Sequence, residues 1–129
     1  MADLTTIAGL HVYFDPAAVV AVADRDATTG EAVTTVYGLS TGTGLYRIGE
    51  AVDAFLTRIG SMQHFAKFTN LDGTFIWINC KSVKVIRAAL TIEHGPQAKS
   101  VLIVGALTPP VTETPDQVQQ IVHAHGGGL

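Results

Sequence analysis

The stretch that decides the fold runs from Phe65 to Arg87 and reads FAKFTNLDGTFIWINCKSVKVIR. Two segments rich in β-branched and aromatic residues flank Asp72-Gly73, a dipeptide that readily adopts the positive φ angles of a tight hairpin turn. The segment from Phe75 to Ile78 is apolar at every position, which predicts a strand covered on both faces. Another strand is predicted to begin at Val83. The stretch therefore predicts a β-hairpin followed directly by a third strand.

Further strands and two helices are predicted on either side of this stretch. The strands are expected at residues 4–8, 10–14, 19–23, 33–39, 45–48 and 100–107, where apolar and β-branched residues recur. One helix is predicted from about Glu50 to Ile59. A second begins after Thr114, the predicted N-cap, and Gln117 completes a capping box. Gly126-Gly127-Gly128 is expected to form a flexible tail, and Pro109-Pro110 is expected to prevent regular strand pairing.

The two halves of the sequence match each other at an offset of 64 to 66 residues. The matched pairs include Gly9 with Gly73, Tyr13 with Trp77, Asp15 with Asn79, and Phe55 with Ile121. Small insertions in the loops of a duplicated unit would give such a drift. We therefore predict a mainly β (α+β) fold of two tandem ββββα repeats packed as one compact body. Each repeat is expected to be a small barrel- or sandwich-like unit with one terminal helix, the first at residues 1–60 and the second at 61–129.

The large apolar residues of these elements are the predicted core anchors. They are Tyr13, Phe14, Phe55, Ile76, Trp77, Ile78 and Ile121. Tyr13 and Trp77 stand at matching positions, which also fits a pair of ligand-stacking groups. Equivalent core anchors of two repeats explain the match better, because large aromatic side chains dominate the energetics of small cores.

The composition argues against several classes of protein. Charged residues make up 15% of the chain and the net charge is −3 with the histidines neutral, so no basic patch for nucleic acid is expected. No apolar run approaches the roughly 18 residues of a membrane span. Met1 to Leu4 has neither the basic nor the apolar region of a signal peptide. A single cysteine, Cys80, rules out an intramolecular disulfide. The low charge favours a surface that is partly covered by other chains.

The candidate catalytic and metal-binding residues do not meet the requirements of their chemistry. His123 and His125 point to different sides of a helix, so a frayed helix end explains them better than a metal site. Cys80 has no base predicted beside it and is expected to be a small buried hydrophobe. Asp24, Asp26 and Glu31 lack the regular oxygen spacing of a calcium loop, which favours a solvated acidic loop. We therefore predict no enzyme activity, no metal and no cofactor.

The central stretch, with LDGT, then IWIN and VKVIR, followed by a Gly-centred turn, a strand and a short helix, resembles the small FlbD-like family of motility-associated proteins. The resemblance covers roughly residues 65–124 and extends more faintly to the first half. In the first half, Ala8-Gly9 occupies the position of Asp72-Gly73, and Asp15 occupies the position of Asn79. The resemblance implies a small β module that acts through partners and offers no catalytic residues. Similar β modules serve as adaptor or packing units in phage particles.

These observations predict a non-enzymatic structural protein, with a phage virion protein of the capsid-cement or decoration type as the leading interpretation. It would be made in the host cytoplasm and would act in the virion as a homo-oligomer, with a trimer as the expected form, bound to a capsid shell. The alternative is a cytoplasmic FlbD-like adaptor that acts on a transcription or motility partner. A small enzyme or metal-binding protein ranks third. The predicted interface residues are Thr108, Pro109, Pro110, Val111, His123 and His125.

Overall fold

The structure is a computed structural model that describes residues 2–26, 29–39 and 45–129. The chain divides into two units, Met1–Gln63 and His64–Leu129. Strands outnumber helices in the described residues, which confirms the prediction of a mainly β fold. The strands form open sheets and do not close into the barrels that the sequence allowed. None of the helices in the described ranges is long and apolar enough to cross a membrane.

The first unit contains five strands and one α-helix in its described part. In chain order they are β1 (Ala2–Thr5), β2 (His11–Phe14), β3 (Ala21–Ala23), β4 (Thr34–Tyr37), β5 (Leu45–Ile48) and α1 (Val52–Arg58). β1 and β2 form an antiparallel hairpin in which Leu4 lies opposite Val12. β3, β4 and β5 pair antiparallel in sequence order. A bridge between Thr6 and Ile48 connects the hairpin to β5.

The second unit has the same order of strands, with one additional short helix. Its elements are β6 (Phe65–Thr69), β7 (Phe75–Asn79), β8 (Val83–Ala88), α2 (Thr91–His94), β9 (Ser100–Val104), β10 (Pro110–Val111) and α3 (Pro115–Ala124). β6 and β7 form the antiparallel hairpin predicted around Asp72-Gly73. β9 pairs antiparallel with β8 on one side and with β10 on the other. The N–H of Thr112 donates to the carbonyl of Thr69 and connects this sheet to β6.

A short 3₁₀ turn follows the hairpin at the corresponding place in each unit. Asp15 accepts a hydrogen bond from the N–H of Ala17 at 2.9 Å before the turn Pro16–Ala18. Asn79 accepts one from the N–H of Lys81 at 3.1 Å before the turn Cys80–Ser82. Asp and Asn side chains both cap a turn in this way, so the exchange of one for the other preserves the local structure.

Each unit has five strands in its described part instead of the predicted four, and in the second unit the additional strand β10 arises because residues near the prolines do pair. Pro110 lies opposite Val101 at the edge of the β8–β9–β10 sheet. The carbonyl of Pro109 accepts from the N–H of Leu102 at 3.2 Å, and the carbonyl of Val111 accepts from the N–H of Lys99 at 2.9 Å. An edge strand needs no N–H from its proline when neighbouring carbonyls make the bonds. The expectation that Pro109-Pro110 prevents pairing was therefore wrong.

The cores of the two units draw on the predicted helices and hairpins, with three exceptions among the predicted anchors. Phe14, Phe55, Ile76 and Ile78 are buried. Tyr13 is 67% exposed, because β2 alternates and only Phe14 faces inward at its end. Trp77 and Ile121 are half-buried. The side chains of β7 alternate in the same way. Ile76 and Ile78 lie on the inner face of the strand and Phe75 and Trp77 on the outer face, so the prediction that Phe75 to Ile78 is covered on both faces was wrong.

The helix α3 and the glycines after it are fixed more firmly than expected. Thr114 and Gln117 form the predicted capping box, in which the Thr114 side chain accepts from the Gln117 N–H and the Gln117 side chain accepts from the Thr114 N–H. The N–H of Gly127 donates to the carbonyl of Val122 at 2.9 Å. A Cβ on Gly127 would collide with Val122 and lie 2.7 Å from the carbonyl oxygen of Cys80. The segment Gly126-Gly127-Gly128 is therefore docked at Gly127 rather than a free tail.

Candidate functional site

The exposed large apolar side chains of the described residues concentrate in two places. We call Ile7, Leu10 and Tyr13 the hairpin group, and Val85, Leu90 and Ile92 the β8–α2 group. Met62 is the one other large apolar residue with an exposed side chain in the described part of the chain. Single exposed apolar residues are common on soluble proteins, but two groups of three on a small chain mark candidate contact surfaces.

The hairpin group projects from a well-ordered turn between β1 and β2. The N–H of Thr6 donates to the carbonyl of Leu10 at 2.8 Å, and the N–H of Leu10 donates to the Thr6 hydroxyl at 3.0 Å. Gly9 supplies the positive φ of 91° that the turn requires. Ile7 and Leu10, with Leu45 and Tyr46, line an open depression of about 470 Å³. The backbone of the turn therefore holds two aliphatic side chains in water.

Strand β2 has a hydrogen-bonding edge that faces away from β1. Thr6 and Leu10 form a hydrogen-bonded pair, and such pairs alternate with non-bonded pairs along an antiparallel hairpin. His11 and Tyr13 fall at the non-bonded positions of the register, opposite Thr5 and Asp3. Their backbone N–H and C=O groups therefore point away from β1, and β2 is one of the two outer strands of its two-stranded sheet.

The β8–α2 group lies on the outer strand and following turn of the second unit. The Ile92 side chain is 93% exposed and the Leu90 side chain 55%. The helix α2 is closed by the N–H of Gly95, which donates to the carbonyl of Thr91 at 2.8 Å, and by an ion pair between Arg87 and Glu93 at 3.1 Å. These bonds hold Leu90 and Ile92 outward.

Strand β8 also has an outward-facing edge. Leu102 of β9 directs its N–H to Pro109 on the β10 side, so its partner Ile86 is a non-bonded position of the β8–β9 pair. By the same alternation Ala88 is the next such position. The backbone groups of Ile86 and Ala88 therefore point away from β9. Strand β8 is the outer strand of the β10–β9–β8 sheet.

The two units differ in charge. Residues 1–63 contain seven acidic and three basic side chains, a net charge of −4 with the histidines neutral. Residues 64–129 contain four acidic and five basic side chains, a net charge of +1. Exposed Asp15 follows β2, whereas exposed Lys81 and Lys84 precede and lie on β8. The edge of β2 is thus the acidic one and the edge of β8 the basic one.

An exposed network of four polar side chains ties the hairpin of the first unit to α1. Asp3 Oδ2 lies 2.7 Å from His11 Nε2, Arg58 lies 3.2 Å from Asp3, and Arg58 lies 2.7 Å from Glu50. The hydrogen bond with His11 is the main cause that lowers the pKa of Asp3, and the charges of His11 and Arg58 lower it further. An Asp–His pair orients an imidazole in many hydrolases. In the described residues His11 has no hydroxyl or thiol bonded to it, so the network stabilises local structure.

A buried ion pair lies where a solvated acidic loop was predicted. Asp26 is fully buried, and its Oδ2 accepts a hydrogen bond from Nε of Arg47 at 2.5 Å and lies 2.5 Å from Nη2 of the same guanidinium. Its backbone N–H donates to Glu31 and its carbonyl accepts from Gly30. The prediction of a solvated acidic loop was wrong for Asp26, because its partner Arg47 lies on β5, 21 residues further along the chain. Local spacing could not reveal that contact. The pair connects Asp26, which follows β3, to β5.

Trp77 is engaged within its own hairpin. The ammonium of Lys67 lies 4.1 Å from the centroid of the Phe75 ring and 5.8 Å from that of Trp77. The Phe75 and Trp77 rings pack edge to face with centroids 6.4 Å apart. A lysine over two aromatic faces occupies the surface that a stacked ligand would need. The geometry favours a structural role for this cluster.

The predicted interface residues do not form one surface. Val111 is fully buried in the core, Pro110 on β10 and the preceding Pro109 are half-buried, and Thr108 is exposed. Val111 is therefore removed from the interface, because its side chain faces inward on β10. The sequence analysis did not predict Leu90 and Ile92 as contact residues, although these two aliphatic residues stand just before Gly95.

The candidate chemical residues are also accounted for by local structure. His123 is exposed, whereas the ring Nδ1 of His125 lies 2.7 Å from the carbonyl oxygen of Ile121. Cys80 is buried, its thiol donates to the carbonyl of Ile78 at 3.6 Å, and burial raises its pKa to about 11. Within the described residues, no three side chains of the metal-binding types come together as a site. Gly42-Thr43-Gly44, which lacks the following Lys-Ser/Thr of a phosphate loop, lies outside the described residues.

Comparisons of the chain with protein-family models, with curated proteins and with solved structures found no match. The resemblance to the FlbD-like family therefore stays a prediction from the sequence.

Proposed function

We propose that this protein is a non-enzymatic structural protein that assembles through protein–protein contacts, as a capsid-cement or decoration protein of a phage virion. The observation that supports this function best is the hairpin group and the β8–α2 group, each beside an outer strand with outward backbone groups. Exposed strand edges with apolar neighbours are templates for pairing with another chain.

The chemistry of the remaining groups is consistent with a structural role. Cys80 has a raised pKa, which keeps the thiol protonated at neutral pH and makes it a poor nucleophile. The polar network around Asp3 and the aromatic cluster around Trp77 are satisfied within their own units. Burial of the six side chains of the two apolar groups would contribute roughly 25 cal/mol for each Å² removed from water. That contribution is available only through association.

A trimer is the form that we propose. Soluble homo-oligomers mostly have closed symmetry. Three copies of a chain with two units of like strand order would present six similar modules, a pseudo-sixfold arrangement that suits a capsid lattice. A stable contact should bury at least about 1,000 Å² in total.

Light scattering across a hundredfold dilution, followed by sedimentation with capsid shells, tests this function. We expect one oligomer mass at all concentrations, and co-sedimentation with the shells. Ile92→Ser should weaken assembly, whereas Met62→Ser, which removes an exposed apolar side chain outside both groups, should not. A monomer that binds neither a shell nor another assembly would refute the proposal. A monomer that binds a transcription or motility partner would favour the adaptor instead.

A further inference from the structure

Two of the outer strands in the described residues, β2 and β8, are complementary to each other rather than to themselves. β2 offers outward backbone groups at His11 and Tyr13, and β8 offers them at Ile86 and Ala88, in both cases at every second residue. An added antiparallel or parallel strand forms hydrogen bonds to backbone groups at this spacing. Apolar side chains flank both edges. Each edge therefore has the features of a strand-addition site.

We propose that β2 of one copy pairs with β8 of a second copy of this chain. The inference rests on the proposed assembly function and specifies its contact. The partner is another copy because the edges differ in charge: Asp15 beside β2 belongs to a unit of net charge −4, and Lys84 on β8 belongs to a unit of net charge +1. Pairing β2 with β2, or β8 with β8, would bring like charges together, which is unfavourable across strands.

The contact is of the head-to-tail kind. Each copy would use its β2 towards one neighbour and its β8 towards the other, so two edges per chain are covered. Such heterologous contacts close into rings when the rotation permits and otherwise continue as filaments. A ring of three chains would leave none of these edges exposed, in agreement with the trimer proposed above. The hairpin group and the β8–α2 group would then be buried together at each contact.

Cross-linking between two differently labelled proteins tests the pairing. Tyr13→Cys and Val85→Cys place thiols at exposed positions on the two edges. The native Cys80 does not compete, because it is buried and its pKa is raised to about 11. We expect a short bismaleimide to link the two variants when they are mixed, and to link each variant alone only weakly. Strong links within Tyr13→Cys alone would show β2–β2 pairing and overturn the inference.

A second variant removes the edge hydrogen bond itself. In Tyr13→Pro the lost N–H is one that points away from β1, so the hairpin ladder is kept, as is usual for prolines on edge strands. We expect loss of the oligomer in light scattering with an unchanged circular dichroism spectrum, and an intact oligomer in Met62→Ser. If Tyr13→Pro fails to fold, the cross-linking result decides.

The outcomes separate this inference from the proposed function. An oligomer that persists in folded Tyr13→Pro, together with no mixed cross-link, overturns the β2–β8 contact and leaves the assembly function standing. A wild-type protein that is monomeric at every concentration, with no cross-link, overturns the contact, and the assembly function also fails if the monomer does not bind a capsid shell. A mixed cross-link with loss of the oligomer in Tyr13→Pro supports both.

Discussion

The ion pair between Asp26 and Arg47 provides the sharpest test of the first unit. Arg47→Met keeps most of the side-chain length and removes the guanidinium, which leaves the Asp26 carboxylate buried without its cation. Asp26 is fully buried, Nε of Arg47 donates to its Oδ2, and Nη2 of Arg47 lies 2.5 Å from the same oxygen. The substitution therefore removes a charge-assisted hydrogen bond and an ion pair at once.

The expected loss in the free energy of unfolding is about 3 kcal/mol. Breaking a buried pair by removing one partner costs about 3–5 kcal/mol, because the remaining charge loses its counterion in a poorly solvated site. Arg47 is 38% exposed, so water can reach part of the vacated space, and we place the loss at the lower end of that range. Asp26→Asn keeps the shape and loses the charge, for which about 1.5–3 kcal/mol is expected.

Urea unfolding followed by far-UV circular dichroism at pH 7 measures these losses. The matched control is Arg25→Met on the same loop, since Arg25 is exposed and donates a single 2.8 Å bond to the carbonyl of Gly30. It should cost below about 1 kcal/mol. The double variant of Asp26→Asn and Arg47→Met should lose less than the two single losses combined. Single losses that add to within about 0.5 kcal/mol would refute a direct pair.

Three other outcomes are expected. Phe55→Ala should lower the free energy of unfolding by about 3–5 kcal/mol because Phe55 is fully buried, and Trp77→Ala should cost less because Trp77 is half-buried; equal urea midpoints would contradict this. Alkylation of Cys80 at pH 7.5 should be roughly 100-fold slower in the folded protein, because burial raises the thiol pKa from 9.0 to about 11 and lowers the thiolate fraction. Mass spectrometry that shows equal alkylation rates in urea and in buffer would contradict this. Gly127→Ala should cost about 1–3 kcal/mol through its collision with Val122 in thermal unfolding, while Gly128→Ala, which has open space, should not.

Local signals in the sequence were sufficient for most of the secondary structure. Asp72-Gly73 forms the predicted turn, with Gly73 at a φ of 85°. Thr114 and Gln117 form the predicted capping box. These features depend on residues within three or four positions of one another, so their physics is contained in the local sequence. The same holds for Asp15 and Asn79, each of which caps the turn that directly follows it.

Features that depend on distant residues were not predictable in the same way. Asp26 is buried because Arg47, on a different strand, neutralises it. Tyr13 and Trp77 were assigned to the core by size, yet the face that a side chain takes in a strand depends on the register of pairing. In β2 the inner position falls to Phe14, and in β7 to Ile76 and Ile78. The size of a side chain therefore predicts its burial only when the register of strand pairing is known.

The candidate contact surfaces escaped prediction for a related reason. Leu90 and Ile92 look like ordinary core residues in the sequence, because the identity of an apolar residue does not indicate whether its side chain is buried or exposed. Only the outward placement of both, next to the unpaired edge of β8, separates them from the buried Leu102 of the neighbouring strand. Natural edge strands are commonly protected by charges or prolines. In this chain β10 carries proline at its edge, whereas β2 and β8 carry exposed apolar residues beside charges of opposite sign, and this combination is the reason to assign β2 and β8 to assembly with each other.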